Sequence, residues 1–576
     1  MHLTSLEFGI AITALASLLP KAAALIFRNK TSCRYLPGDL GWPSEDEWSS
    51  LNRTVDGRLI VGTPVEQSSC YGVGTNSLEC AKVQSTWSDL DPVLVNPINI
   101  MSPYWVNNSC SPFLTGDGSC SLGNQASYAI NVSCVSDVTA GIKFARKKNI
   151  RLSIKNTGHD YLGRSAGKGS LALWTHNLKD MTFMNYSSAN YTGPATKVGA
   201  GVQVSELYKA ASEHGYQVVG GSCPTVGVAG GWVPGGGQGP LTGAYGLGAD
   251  NALEFEVVTT EGKHLIASPT QNFDLYWAIS GGGPGNYAIV ISITMKAHID
   301  IPVVGAKFDF ENTDDDTFYA AITAYMKHLL VLDNFVGFKA VGTFTKDLFR
   351  MDFATWPGTT VQHMNAAWEP FLSELEALNI SLTFNDTKLF PTFYEHYEYF
   401  GTDVYTRNAT AGSRFIPRWQ VEDTERSLLE LVDTMRSMAQ NYSAVLNVIN
   451  SNVKHLRVGN TPESNSVYPG WRDSLANLVI VIPVLEDAPW TELKARQAVM
   501  NDWEDQLRNL APDAGGYINE GTYDNFLWKE DYFGVNYDRL RAIKKKYDPS
   551  FTLYTSTAVG SDAFTFELGE GRLCTA

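Results

Sequence analysis

The sequence predicts an α+β protein built from more than one domain. Three observations carry that expectation. The chain has 576 residues, more than a single hydrophobic core supports. From Tyr128 onward, short apolar alternations flank a helical period. From about residue 301 the glycine density falls and aromatic residues rise, which marks a second unit. A hydrophobic content of 44% and a charged content of 18% place the chain among globular proteins. The net charge of −16 repels phosphate backbones and anionic lipid, so neither nucleic acid nor a membrane surface is an expected partner.

The first element is the apolar run from Phe8 to Ala24. It is too short to span a bilayer and ends in Ala22-Ala23-Ala24. This predicts a signal peptide over residues 1–24, although no Lys or Arg precedes the run. Ten N-x-[ST] sequons, at Asn29, Asn52, Asn107, Asn131, Asn185, Asn190, Asn379, Asn385, Asn408 and Asn441, agree with export of a glycoprotein. Six of the eight cysteines lie in the first 134 residues, which predicts a disulfide-containing segment over 25–120. Cys70 with Cys80 and Cys110 with Cys120 can close short loops, and Cys33 with Cys574 can staple the termini. That pairing leaves Cys134 and Cys223, so the even count does not force Cys223 into a bridge.

YAINV from Tyr128 predicts a strand. A helix follows, with Ser136 as N-cap and Val138, Ile142 and Ala145 on one face; RLSIK, from Arg151, predicts the next strand. LEFEVVTTEGKHLIAS predicts two strands joined by a turn at Glu261-Gly262-Lys263, and NYAIVISITMKAH predicts a further strong strand. Together these form a module over 121–300. Residues 301–500 predict a second α+β domain, in which Tyr394, His396, Tyr397 and Tyr399 form an aromatic cluster read as packing rather than pocket lining. The aromatic, asparagine-rich end over 501–576 is a further segment.

Phosphate-loop, zinc-protease, C-x-x-C and lipase-elbow patterns are absent, so those chemistries lose their support and no metal site is expected. Three glycine-rich loops remain: KNTGHDYLGRS, GGSCPTVGVAGGWVPGGGQGP and SGGGPGNYA. Backbone N–H groups in such loops form anion-binding nests, and three of them can wrap a dinucleotide. The first carries His159 and the second Cys223, and both side chains are nucleophiles when deprotonated. G-x-G-x-x-G-like strings occur in these loops, but neither opens an evident helix, which argues against a Rossmann domain.

R-L-x-I-K-N-T-G-H-D-Y-L-G-R-S together with C-P-T-V-G-V-A-G-G-W-x-x-G-G-G resembles the vanillyl-alcohol-oxidase superfamily of flavoproteins, and within it the fungal berberine-bridge-enzyme-like branch. The late strings Y-I-N-E and G-V-N-Y-D-R-L-x-x-I-K-K-K-Y-D-P resemble that family's C-terminal motif, and the likeness runs from about Cys33 to the terminal GRLC. The resemblance implies a two-lobed PCMH-type FAD-binding domain over 121–300. It also implies an inserted α+β substrate domain over 301–500 covering the flavin, and a berberine-bridge-like segment over 501–576 that completes the FAD site.

The resemblance further implies FAD held by two covalent bonds, from His159 to the flavin 8α carbon and from Cys223 to C6. Asn156, Thr157, Gly158, Asp160, Gly163, Arg164 and Ser165 of the first loop are implied to contact the cofactor. So are Val226, Gly227, Gly230 and Gly231 of the second, Gly283, Gly285 and Asn286 of the third, and Asn536 near the end. The third loop would surround the adenine half, and Val226, three residues after Cys223, would gate oxygen at flavin C4a. Many relatives carry a tyrosine after the asparagine of Y-x-N-Y as proton acceptor. Here Glu520 stands in that place, so Glu520 is the expected base, Tyr517 the alternative, and Asn519 an orienting residue.

The function so implied is a secreted, monomeric FAD-linked oxidase that takes a hydride from an alcohol, a sugar or a secondary metabolite and passes the electrons to dioxygen, giving peroxide. An oxidative cyclase and a catalytically idle flavin-binding protein are the alternatives.

Overall fold

The computed structural model describes residues 32–71, 77–87, 89–102, 105, 109–114, 120–401, 408–566 and 571–576. The signal-peptide expectation over 1–24 and the sequons Asn29 and Asn107 lie outside these residues. The architecture is mixed α+β with several separate sheets, as the sequence predicted.

The strands Tyr128–Asn131, Ser170–Trp174 and Arg151–Lys155 pair in parallel, and Leu59–Val61 closes that four-stranded sheet in antiparallel sense. The helix Val135–Lys148 connects Tyr128–Asn131 to Arg151–Lys155 and buries Val138, Ile142 and Ala145 on the predicted face. Its N-cap is Cys134 rather than Ser136, and no side chain caps it; extended backbone at Cys134 sets the boundary. Asp137 in the first turn offsets the missing cap, taking hydrogen bonds from the Ser133 N–H at 2.9 Å and from Arg58 at 2.7 Å. A second, antiparallel sheet runs Met181–Ser187, Thr192–Gly199, Ile289–Lys296, Ala252–Val258, His264–Ala267, and contains the three strands predicted after the glycine loops.

A seven-stranded antiparallel sheet occupies 303–483, in the order Phe384–Phe390, Val303–Glu311, Leu348–Pro357, Lys339–Phe344, Val445–Asn450, Ser474–Pro483, Ala409–Pro417. One face packs on the helices Asp315–Leu332, Val361–Ala377, Glu425–Ala439 and Trp490–Leu510. Side chains alternate along a strand, so Ala340, Leu446, Val448, Leu478 and Ile480 enter that helix-covered core while their odd-numbered neighbours point the other way.

The three disulfides are Cys33–Cys574, Cys70–Cys80 and Cys110–Cys120, and Cys134 and Cys223 lie outside them. Buried ion pairs join distant segments. Arg472 meets Asp250 at 2.7 Å, tying the second unit to the end of the glycine stretch. Lys544 meets Asp548 at 2.8 Å and donates to the carbonyls of Asn286 and Leu553, each at 2.6 Å. The lysine and aspartate of the K-K-K-Y-D-P string thus clamp the third glycine loop from behind.

Among the described residues, no helix is long and apolar enough to cross a membrane, and no group of three or more His, Cys, Asp or Glu can hold a metal ion.

Candidate active site

The glycine loops and the helix-free face of the seven-stranded sheet enclose one cavity of about 290 Å³. Arg151–Lys155 lines it through Leu152, Ser153 and Ile154 and delivers the first loop. Lys155, fully buried, donates toward the carbonyls of Val93, Asn156 and Thr157 and so fixes the turn that presents Gly158 and His159. Asp160 holds the rest of the loop, taking hydrogen bonds from the Ser165 N–H and hydroxyl, each at 2.7 Å. Gly163 has φ +70°, and a Cβ there would stand 1.9 Å from the Trp105 ring, so only glycine lets the loop close.

His159 and Cys223 both line the cavity. The His159 Nε2 lies 2.5 Å from the Thr225 hydroxyl, two residues from Cys223, so the two loops meet at their nucleophiles. Desolvation lowers the His159 pKa to about 4, which keeps the imidazole neutral and its nitrogen lone pair available at ordinary pH. The Cys223 loop is suspended from two phenols: Tyr208 donates to the Gly221 carbonyl at 2.9 Å and Tyr397 to that of Ser222 at 3.1 Å.

The C-terminal string supplies the third side of the site. Glu520 lines the cavity and accepts hydrogen bonds from the Gln238 and Asn477 amides, each at 2.8 Å. Desolvation is the largest influence on it and raises its pKa to about 7, against the opposing pull of those two amides and of Lys339. Tyr517 is 2% exposed and packs 4.6 Å from Trp471, and burial drives its phenol pKa strongly upward. Asn519 donates to the Tyr517 hydroxyl at 2.9 Å and to the Trp232 carbonyl at 3.2 Å, so it fastens the glycine stretch to the C-terminal segment.

Most of the residues expected from the sequence meet here. Asn156, Thr157, Gly158, Asp160, Arg164, Ser165, Val226, Gly227, Gly230, Gly231 and Gly285 line the cavity with His159, Cys223, Tyr517, Asn519 and Glu520. Four do not. Gly163 packs on Trp105, and Gly283 faces Ile518. Asn286 turns its amide to the Val559 carbonyl at 3.1 Å, and Asn536 turns its own to the carbonyls of Ser466 and Val467, each at 3.3 Å. These asparagines brace the loops behind the wall, because their amides are consumed by backbone carbonyls. Of the aromatic cluster, His396 and Tyr397 are buried in packing, as expected, and neither reaches the main cavity.

Sequence reasoning missed the sheet's contribution. Lys339, Val341, Asn447, Ile449, Val479 and Val481 line the cavity from odd positions of three strands. Asp352 joins them beside Phe353 because the pairing skips it between Val341↔Phe353 and Gly342↔Met351, a bulge that turns an extra side chain inward. Only knowledge of which sheet face is covered by helices would have separated these residues from core positions. Gln238, Tyr161, Trp232 and Pro284 were missed although they lie inside the glycine strings and line the cavity.

Two family models match the chain: the FAD binding domain over residues 126–268, and berberine and berberine-like proteins over 516–559. An FAD-linked oxidoreductase of Neocamarosporium betae is 40% identical, covering 96% of this chain and 97% of its own length. The bifunctional decalin synthase of Penicillium decumbens is 40% identical, with 97% of this chain and 98% of that protein covered. The crystal structure of a VAO-type flavoprotein of Myceliophthora thermophila superposes with a TM-score of 0.87 at 36% identity, covering 95% of this chain and 100% of that one.

The fold and the cavity therefore define an FAD-dependent oxidoreductase acting on a small molecule. The chain belongs to the berberine-bridge-enzyme-like branch of the vanillyl-alcohol-oxidase superfamily.

The wall fits that cofactor on its own evidence. A Cβ at Gly230 or Gly231 would meet nothing within 4 Å, which leaves bare main chain facing open space. Asn156 Oδ1, Arg164 Nε and Thr555 Oγ1 are buried at the cavity without a protein hydrogen-bond partner, as polar groups awaiting a ligand would be.

Proposed function

We propose that the protein is a secreted, monomeric FAD-linked oxidase whose cofactor is attached through both His159 and Cys223. The observation that carries this reading is the convergence of a neutral imidazole, a thiol and a carboxylate of raised pKa on one cavity. FAD, when bound, supplies a two-electron acceptor for hydride and a route for those electrons to dioxygen, giving peroxide. The chain supplies the rest. The loop amides and Arg164 hold the dinucleotide, and the bare glycines let its ring lie against the main chain. Glu520 takes the substrate's hydroxyl proton at a carboxylate oxygen, while Gln238 and Asn477 keep that carboxylate aimed at the cavity. Val226 controls access beside the ring. The domain boundaries proposed are 121–300 for cofactor binding, 301–500 for the substrate wall and 501–576 for completion of the site.

Export is proposed from the apolar N-terminal run and the sequons. Asn185, Asn190, Asn379, Asn385 and Asn441 are exposed and stand as the candidate glycan sites. Asn408 is engaged instead, its side-chain oxygen accepting from the Trp87 indole at 2.9 Å.

A screen of alcohols, sugars and phenolics for peroxide release by purified holoprotein tests the oxidase reading. Flavin bleaching by a substrate without peroxide would make the protein a dehydrogenase. No bleaching by any compound would leave an idle flavin-binding protein. The likeness to a decalin synthase favours a second reading, oxidative cyclisation of a secondary metabolite, which product analysis separates from simple oxidation.

A further inference from the structure

We propose that Lys339 anchors the substrate, and that the substrate is a largely apolar molecule presenting one anionic oxygen to that ammonium. The inference rests on the reading that substrate lies between the flavin and the seven-stranded sheet.

The sheet wall is built from Val341, Phe353, Ala411, Ile449, Val479 and Val481, which give a ligand apolar contact and no hydrogen bonds from their side chains. A sugar, with a hydroxyl on nearly every carbon, would leave most of its polar groups unsatisfied there. The polar groups on this wall are few, and most are already engaged. Asp352 is held by Arg350 and by the Thr343 hydroxyl, and that hydroxyl also reaches the Asn447 amide oxygen at 2.8 Å. Glu520 is held by two amides.

Lys339 differs. It is 2% exposed and lines the cavity, and the two carboxylates that share the cavity, Asp352 and Glu520, are held by Arg350 and by two amides. Its protein hydrogen bond goes to the Asn450 carbonyl, which leaves two of three ammonium protons for a ligand. Burying a cation is costly, and desolvation lowers the Lys339 pKa to about 7 even against the opposing pull of the Glu520 carboxylate, so the ammonium is under-compensated. An oxyanion in the cavity relieves that cost. Lys339 stands at an odd position of its strand, as Val341 does, so the anchor and the apolar wall share one face. A ligand oxygen on Lys339 therefore leaves its apolar body along the wall, within the cavity that Glu520 also lines.

The test is calorimetric titration of oxidised holoenzyme, with FAD content and melting temperature measured on every sample first. The probes are benzoate against benzamide, and pentafluorophenolate against pentafluoroanisole. Wild type should bind at least one anion about tenfold or more tighter than its neutral counterpart, in the range expected for one desolvated charge pair. Whichever anion wins assigns the natural group as a carboxylate or an ionised phenol or enol. Lys339→Met and Lys339→Gln should abolish the preference, and Lys339→Arg should keep part of it. A preference that survives in folded, flavin-loaded Lys339→Met or Lys339→Gln overturns the assignment. So does wild type that shows no preference, a result that needs no variant to fold. Loss of the Glu520 role would appear as an unchanged reduction rate in Glu520→Gln and would leave the anion preference intact, so the two readings fail separately.

Discussion

Gln238 donates a hydrogen bond to Glu520 across 2.8 Å, joining the densest glycine string to a carboxylate 282 positions later in the chain. The same carboxylate oxygen accepts from Asn477 on the seven-stranded sheet, so three distant segments meet at one carboxylate.

Replacing that group should stop proton transfer without disturbing the cofactor. Glu520→Gln is expected to keep the flavin spectrum and to slow flavin reduction by substrate about a hundredfold or more, the usual cost of losing a general base. In wild type the reduction rate should rise with pH through about 7, where the carboxylate becomes ionised. Stopped-flow reduction across pH 5–9 checks both. Wild-type-like reduction in the variant would move the role to Tyr517.

The raised Glu520 pKa also predicts a stability effect. The folded state holds this proton to about pH 7, whereas an exposed glutamate releases it near 4.5. Its contribution is therefore full at low pH and is lost as pH rises toward 7. Glu520→Gln should melt higher than wild type at pH 8 and no higher at pH 4.5. Thermal scans of both proteins at the two values give the comparison, and an equal difference at both would contradict the assigned shift.

Attachment of FAD is read from denatured protein. Acid-precipitated wild type should stay yellow and carry the mass of one FAD. His159→Ala should retain flavin through sulfur, Cys223→Ala through nitrogen, and the double variant should release it. A colourless wild-type precipitate from fully loaded protein would exclude both bonds.

Val226 lines the cavity in the Cys223 loop. Packed interiors have few voids to absorb one more methylene, so Val226→Ile should slow reoxidation of anaerobically reduced enzyme by oxygenated buffer without slowing reduction by substrate. Equal reoxidation rates would remove the gate.

Lys544 and Asp548 test the clamp behind the third loop. Both are buried, and removing one partner of such a pair typically costs about 3–5 kcal/mol. Lys544→Met should lower the denaturation midpoint sharply and loosen the loop at Asn286. A midpoint within experimental error of wild type would show that the clamp contributes little.

Much of the fold was legible because local patterns report local geometry. Alternation in RLSIK, the helical face of Val138, Ile142 and Ala145, and the Glu261-Gly262-Lys263 turn all appear where expected. The helix start did not, because Cys134 caps through backbone conformation rather than a side-chain hydrogen bond. The glycine loops and their two nucleophiles were legible for a similar reason: bare main chain and reactive side chains are written in residue types.

By itself the sequence determined an α+β chain with three glycine loops, one imidazole and one thiol set among them, and a carboxylate where relatives carry a phenol. The tertiary structure decided which of these share a cavity. It turned Asn286 and Asn536 onto backbone carbonyls behind the wall, and it brought Lys339, Asp352 and Asn447 to the front. The reason is that a strand residue's role depends on which face of its sheet is covered. Helices from elsewhere in the chain cover one face of this sheet, so Ala340 became core and Lys339, one residue earlier, became the wall of the site.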